Sequence, residues 1–192
     1  MTSPTPLQLD PKHRAQLAPL AALLTQWNKA HNLVSRKLSE DQLLDLLWEA
    51  TAFERFLPLG ANVADLGSGA GIPALPLAVI RPDLKIEAVE PRQKRCTWIR
   101  FAQQKLVCPL TVNQARWQPD WDHFDFVISR AVFPPAEFCD AVGALAPRSL
   151  QMTGESVTSQ GRARYRIVRG AVDAGLILAG EQTELLFPER VS

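Results

Sequence analysis

Apolar residues near the start of the chain recur at the spacing of an α-helix. From about Lys12 they fall three or four positions apart, which predicts one amphipathic helix. The apolar positions of this helix are Leu17, Leu20, Leu24 and Trp27. Residues 1–11 are rich in proline and threonine, and we expect them to form a loose end.

A second helix is predicted from Ser39 onward. Ser39 and Gln42 are spaced as a capping box, in which each side chain bonds the backbone N–H of the other residue. The helix is expected to stop before Pro58, because proline cannot continue it. Its apolar face consists of Leu43, Leu44, Leu47, Ala50 and Phe53.

From position 63 onward, short apolar runs alternate with segments of helical spacing. The runs that predict strands are 63–66, 84–89, 110–113, 124–128 and 150–152. The segments that predict helices are 74–80, 93–106 and 134–143. Strands alternating with helices indicate an α/β fold with a largely parallel, doubly wound sheet.

A glycine-rich loop follows the first of these strands. Gly67, Gly69 and Gly71 alternate with small residues, and Pro73 suits the first turn of the helix that follows. Glycine lets the backbone turn sharply and approach a ligand closely. A strand, a glycine loop and a helix together are typical of a nucleotide-like cofactor site, although such loops also serve as plain tight turns.

Two acidic residues bear on the identity of that cofactor. Glu90 ends the second strand about 20 residues beyond the glycines, where dinucleotide-type folds place an acid that binds ribose hydroxyls. The glycine spacing is not the G-x-G-x-x-G that a pyrophosphate needs, and Asp65 precedes the first glycine by two residues. A carboxylate is unfavourable beside a diphosphate and favourable beside a cation. We therefore predict S-adenosylmethionine rather than NAD.

Composition narrows the class of protein. A chain of 192 residues suits one substantial core. Its three cysteines are scattered without a C-x-x-C pair, which argues against a disulfide framework or a structural zinc. There is no signal pattern and no apolar run long enough to span a bilayer, so we expect a cytoplasmic protein without membrane or metal. The net charge of +1 means that any RNA contact must rest on local patches.

Two local clusters of basic residues are candidates for such patches. Arg92, Lys94, Arg95 and Arg100 make the start of the 93–106 helix basic. Residues 162–167 alternate arginine with apolar residues, as an edge strand with one basic face would. A solvated face is the more ordinary explanation for both clusters, and RNA contact is the alternative.

Several segments in order resemble the bacterial 16S ribosomal RNA guanine-N7 methyltransferases, also called the glucose-inhibited division protein B family. They are W-N-K-A-H-N-L at 27–33, the glycine loop at 65–73, and the short segments 81–82, 94–95, 124–125 and 128–131. The resemblance implies a Rossmann-like class I S-adenosylmethionine-dependent methyltransferase domain over 59–192. Residues 1–58 would be an N-terminal helical extension of the same structural unit.

The resemblance also implies roles for individual residues. Gly67 and Ile72 would line the methionine and ribose part of the cofactor site, and Trp117 and Gln118 would lie beside the adenine. Arg130 would lie where cofactor and substrate meet. The implied partner is 16S rRNA or the small ribosomal subunit, bound by a monomer.

The chain departs from the family pattern at three places. Where the family has His-Ile-x-Asp-Ser, residues 46–50 read L-L-W-E-A, and only Glu49 keeps a carboxylate. The family's acidic pair beside the adenine reads Trp117-Gln118, and Thr153-Gly154 replaces an expected Lys-Gly. A diverged paralogue with another substrate, or with weak activity, is therefore the alternative function.

The candidate catalytic residues, Ser129 and Arg130, follow the strand at 124–128. Guanine N7 already carries a lone pair, so methyl transfer to it needs orientation more than a general base. Arg130 could hold a phosphate, a guanine edge or the cofactor carboxylate. Its alternative is a structural salt bridge to Asp125 or Glu90, and a small-molecule methyltransferase is a third possible function.

Overall fold

The computed structural model describes residues 5–117, 123–130, 149–153, 164–169 and 172–179, with side chains at 9–117 and 123–130. The helices in order are α1 (Pro11–Gln16), α2 (Ala18–His31), α3 (Glu40–Ala50), α4 (Ala74–Ile80) and α5 (Gln93–Leu106), with a 3₁₀ segment at Thr51–Phe56. The strands are β1 (Thr5–Gln8), β2 (Asn62–Leu66), β3 (Lys85–Val89), β4 (Leu110–Asn113), β5 (Phe126–Arg130), β6 (Ser149–Thr153), β7 (Arg164–Arg169) and β8 (Val172–Ala179).

The described strands form one sheet in the order β1-β7-β8-β6-β5-β2-β3-β4. The β8 strand is antiparallel to β6 and β7, and all other neighbours are parallel. Successive strands run outward in opposite directions from β2 and β5, which lie side by side. Ligands of doubly wound sheets bind beyond the carboxyl ends of the strands at such a reversal. The prediction of a largely parallel, doubly wound sheet is confirmed.

The predicted single helix from Lys12 is wrong, because the chain forms α1 and α2 with a break at Leu17. Pro19 has no N–H to continue the hydrogen-bond ladder, so it begins a new helix instead. The predicted capping box of α3 is confirmed: the Gln42 N–H donates to Ser39 Oγ at 3.2 Å, and the Ser39 N–H donates to Gln42 Oε1 at 2.8 Å. The α-helix ends at Ala50, and the chain continues as the 3₁₀ segment.

The predicted loose N-terminus is also wrong over residues 5–8, which form β1 against β7. The β7 strand therefore has neighbours on both sides rather than lying at an edge. The pairing partner of β1 is about 160 residues away, so no local pattern signals it. The β5 strand begins two residues later than predicted and includes Arg130. The helix predicted at 134–143 lies outside the described residues.

One hydrophobic cluster joins the N-terminal helices to the α/β elements. Leu24 of α2, Leu47 of α3, Leu75 of α4 and Trp98 of α5 all belong to it, and each is fully buried. The helices α2 and α5 pack against each other, as do α3 and α4. The division at position 58 stays our prediction, and buried residues from both sides share this cluster. Among the described residues, no helix combines the length and apolar character that crossing a bilayer requires.

Candidate functional site

The glycine loop joins the end of β2 to α4 through three left-handed glycines. Gly67, Gly69 and Gly71 have φ values of 66°, 58° and 78°. The Gly67 N–H donates to the Val89 carbonyl at 2.8 Å, which ties the loop to the end of β3. Since parallel β2, β3 and β5 end at the same edge, the loop lies at the sheet reversal described above.

Two of the glycines are also required by their surroundings. A Cβ on Gly71 would lie 2.5 Å from Leu75 Cδ1, and a Cβ on Gly69 would lie 3.3 Å from Arg95 Nη1. Trp98 supports the loop from below, because its Nε1–H donates to the Ala70 carbonyl at 2.8 Å. The backbone of this loop is therefore held in one tight conformation by α4 and α5.

Asp65 lies fully buried at the end of β2. Its Oδ2 accepts from the Ala74 N–H at 3.2 Å, near the start of α4. Its Oδ1 is buried and has no hydrogen-bond partner among the described residues. Burial raises the pKa of this carboxyl from 3.8 to about 7, although the Ala74 N–H and the Arg130 charge act in the opposite direction. A nearby cation would stabilise the ionised form of such a group.

Glu90 follows β3 and is 2% exposed. Its two oxygens are already bonded: Oε2 accepts from the Gly69 N–H and Oε1 from the Arg92 N–H, both at 2.9 Å. Arg95 Nη1 lies 3.6 Å from Oε2. The structure therefore brings the predicted ribose acid onto the predicted glycine loop, 21 residues away in sequence.

The predicted catalytic pair lies at the end of β5. The buried Ser129 hydroxyl donates to the Leu66 carbonyl at 3.1 Å, which links β5 to β2 just before the loop. Burial lowers the pKa of the Arg130 guanidinium, and the negative charges of Glu49 and Asp65 oppose that change. Arg130 therefore lies between acids of α3 and β2.

The salt bridge considered as an alternative for Arg130 involved Asp125 or Glu90. Asp125 instead accepts from the Asn62 N–H at 2.8 Å, at the opposite end of β5. The charges of Glu49 and Asp65 are those that bear on Arg130.

The remaining predicted cofactor residues are placed unevenly. Ile72 is buried within the loop at 7% exposure. Trp117 is half-buried in the segment after β4. Gln118 lies outside the described residues. Within the described part of the chain, no group of three or more His, Cys, Asp or Glu residues could hold a metal ion.

Sequence reasoning missed two contributors to this site. Arg95 was assigned to a solvated basic face, yet its side chain is 31% exposed and lies against Glu90 and Gly69. The neighbouring Lys94 is exposed, as that assignment predicts. Glu49 was noted only as a departure, and it is buried at 5% exposure beneath Arg130's field. A buried carboxylate near a helix carboxyl end is unfavourable unless a cation compensates it.

Comparison of the chain with known proteins adds independent observations. The sequence model of the GidB family, described as rRNA small subunit methyltransferase G, matches residues 13–161. The ribosomal RNA small subunit methyltransferase G of Actinobacillus succinogenes is 36% identical over 131 residues, which cover 66% of this chain and 61% of that protein. The protein of the same name from Halorhodospira halophila is 33% identical over 159 residues, or 80% and 76% of the two chains.

Solved structures share the fold at low sequence identity. A mutant of MtNAS in complex with S-adenosylmethionine aligns with a TM-score of 0.55 and 16% identity, over 88% of this chain and 79% of that one. Precorrin-6y C5,15-methyltransferase from Geobacter metallireducens aligns with a TM-score of 0.53 and 16% identity, over 77% and 92%. The predicted class I, Rossmann-like fold is thereby confirmed. From the extent of the family match, the chain belongs to the rRNA small subunit methyltransferase G (GidB) family.

Proposed function

We propose that this protein is an S-adenosylmethionine-dependent methyltransferase that modifies N7 of a guanine in 16S ribosomal RNA. Family membership supports the reaction and the RNA substrate. The observation that carries the proposal is the grouping of Asp65, the glycine loop and Glu90 at the carboxyl edge of the sheet. A cytoplasmic monomer acting on the small ribosomal subunit stays a prediction that goes with this function.

The residues at this edge fit S-adenosylmethionine. The buried Asp65 Oδ1 offers an acceptor without a protein partner among the described residues, suited to a cationic group. Gly69 and Gly71 leave the backbone uncovered by side chains of their own, so a ligand can approach it closely. Glu90 lies where an acid can bind ribose hydroxyls. When bound, the cofactor supplies an electrophilic methyl group.

The chain's own residues would act mainly by orientation. Guanine N7 has no proton to lose, so neither a general base nor a nucleophile is required. Arg130 lies at the end of β5, close enough to Asp65 for their charges to interact. Its guanidinium is suited to hold the guanine edge or a phosphate beside the methyl group. Ser129 would fix that strand end through its bond to the Leu66 carbonyl.

The test has two stages. Calorimetry with S-adenosylmethionine measures binding, and mass mapping of 16S rRNA incubated with the protein and the methyl donor locates any added methyl group. We expect binding, N7-methylguanine at one position, and a loss of at least tenfold in transfer rate for Arg130→Ala. Arg100→Ala is the matched control, because Arg100 is exposed and lies on α5. No binding at millimolar donor would overturn the proposal.

A diverged paralogue is the second candidate function, favoured by the departures at 46–50 and 117–118. Such a protein would bind the donor in calorimetry and leave rRNA unmodified. The buried Glu49 weighs against it, because the carboxylate kept from the family's segment lies near Arg130.

A further inference from the structure

Arg95 lies over the glycine loop and has no part in the function proposed above. It belongs to the first turn of α5, and its side chain is 31% exposed. Its Nη1 lies 3.6 Å from Glu90 Oε2 and 3.3 Å from the point where a Cβ on Gly69 would be. The guanidinium therefore covers the same glycine whose N–H binds Glu90.

The bonds of Glu90 leave limited room for another partner. Each carboxylate oxygen accepts about two hydrogen bonds. Oε1 already accepts from the Arg92 N–H, and Oε2 accepts from the Gly69 N–H. Arg95 is the group nearest the remaining capacity of Oε2. A ribose that bonds this oxygen would have to take the place of the guanidinium.

We propose that Arg95 competes with the ribose of the methyl donor for Glu90, so that donor binding moves the guanidinium off the glycine loop. The inference rests on the proposed function, because it assumes a ribose-bearing ligand. The ion pair is partly exposed to solvent, so it is weak and can be displaced. Arg95 would thus lower the affinity for the donor rather than contribute to it.

The matched variants are Arg95→Gln and Lys94→Gln. Both remove one positive charge from the same turn of α5, but Lys94 is exposed. The probe is S-adenosylhomocysteine, which keeps the ribose and lacks the sulfonium charge that Asp65 would attract. In calorimetry we expect Arg95→Gln to bind it about two- to fivefold more tightly than the wild type, which is the range of a weak ion pair. Lys94→Gln is expected to stay within about twofold of the wild type.

Salt provides a readout that a merely structural role would not give. Added salt screens the Arg95–Glu90 pair, so wild-type affinity for this uncharged probe should rise between low and high salt. Arg95→Gln should lose that rise, and Arg95→Lys, which keeps the charge, should retain part of it. Circular dichroism checks that all variants are folded.

Two results would overturn the inference. Weaker or unchanged binding by Arg95→Gln would make Arg95 a ligand or a bystander, and an identical salt response in the wild type and Arg95→Gln would show that no ion pair is displaced. Binding by neither protein at millimolar probe would instead refute the proposed function.

Discussion

Asp65→Asn is expected to make the protein more stable and to weaken its binding of the methyl donor. The Asp65 carboxyl is fully buried, and burial raises its pKa to about 7. Between the ordinary value of 3.8 and about 7, the folded state therefore binds a proton that the unfolded state has released. Stability from this group is fully present below about pH 4 and is lost as the pH rises to about 7.

The size of the effect follows from that pKa. A rise from 3.8 to about 7, at about 1.4 kcal/mol for each pH unit, corresponds to about 4 kcal/mol. Asparagine at this position does not titrate, so the free energy of unfolding of Asp65→Asn keeps its value over the same range as far as this group is concerned. Relative to the variant, the wild type should lose about 4 kcal/mol between pH 4 and pH 8.

Urea denaturation at a series of pH values measures this difference. Other groups that titrate in the range, such as Glu54, are present in both proteins and cancel in the comparison. Only the change in the difference with pH matters, so the fixed cost of burying an amide does not enter. A constant difference across the range would refute the reasoning.

The same group predicts the pH dependence of binding. A cationic donor favours ionised Asp65, so affinity for S-adenosylmethionine should rise as the pH approaches about 7 and then level off. S-adenosylhomocysteine carries one positive charge fewer and should show a shallower rise. Asp65→Asn should bind both ligands with little pH dependence near 7. Equal slopes in the wild type and the variant would exclude Asp65 as the cation's partner.

Three further substitutions test the fold around the site by urea denaturation. Gly71→Ala should cost about 1–3 kcal/mol more than Gly60→Ala, because both have positive φ but only the Gly71 Cβ would meet Leu75; equal losses would contradict this. Ser39→Ala should cost about 1 kcal/mol, and no loss would show that the capping box is not stabilising. Asp83→Asn should cost about 1 kcal/mol at pH 7, because its ion pair with the Arg81 guanidinium lowers the pKa of Asp83. That difference is present above about pH 4 and disappears in more acidic solution; a loss that persists there would refute the ion pair's role.

Local patterns predicted the elements whose signals are local. The capping box at Ser39, the glycine loop and the helix at 93–106 all depend on residues a few positions apart. The break at Leu17 was also signalled locally by Pro19, but the apolar spacing across it concealed the break. Periodicity reports which side of a helix is buried and says little about where it is interrupted.

The sheet ends depended on distant pairing. The β1 strand is held by β7, and β8 was hard to recognise because its neighbours β6 and β7 lie on different segments. Strand formation at such positions is decided by the partner rather than by intrinsic preference.

The sequence by itself determined the family, the α/β fold and the acid-headed glycine loop, because these follow from short motifs and hydrophobic spacing. Only the tertiary structure decided how the charges meet: Arg95 on Glu90, Glu49 near Arg130, and a buried oxygen on Asp65. These groups lie on separate helices and strands, and burial sets the strength of their interactions. Neither their proximity nor their burial is written in the spacing of residues along the chain.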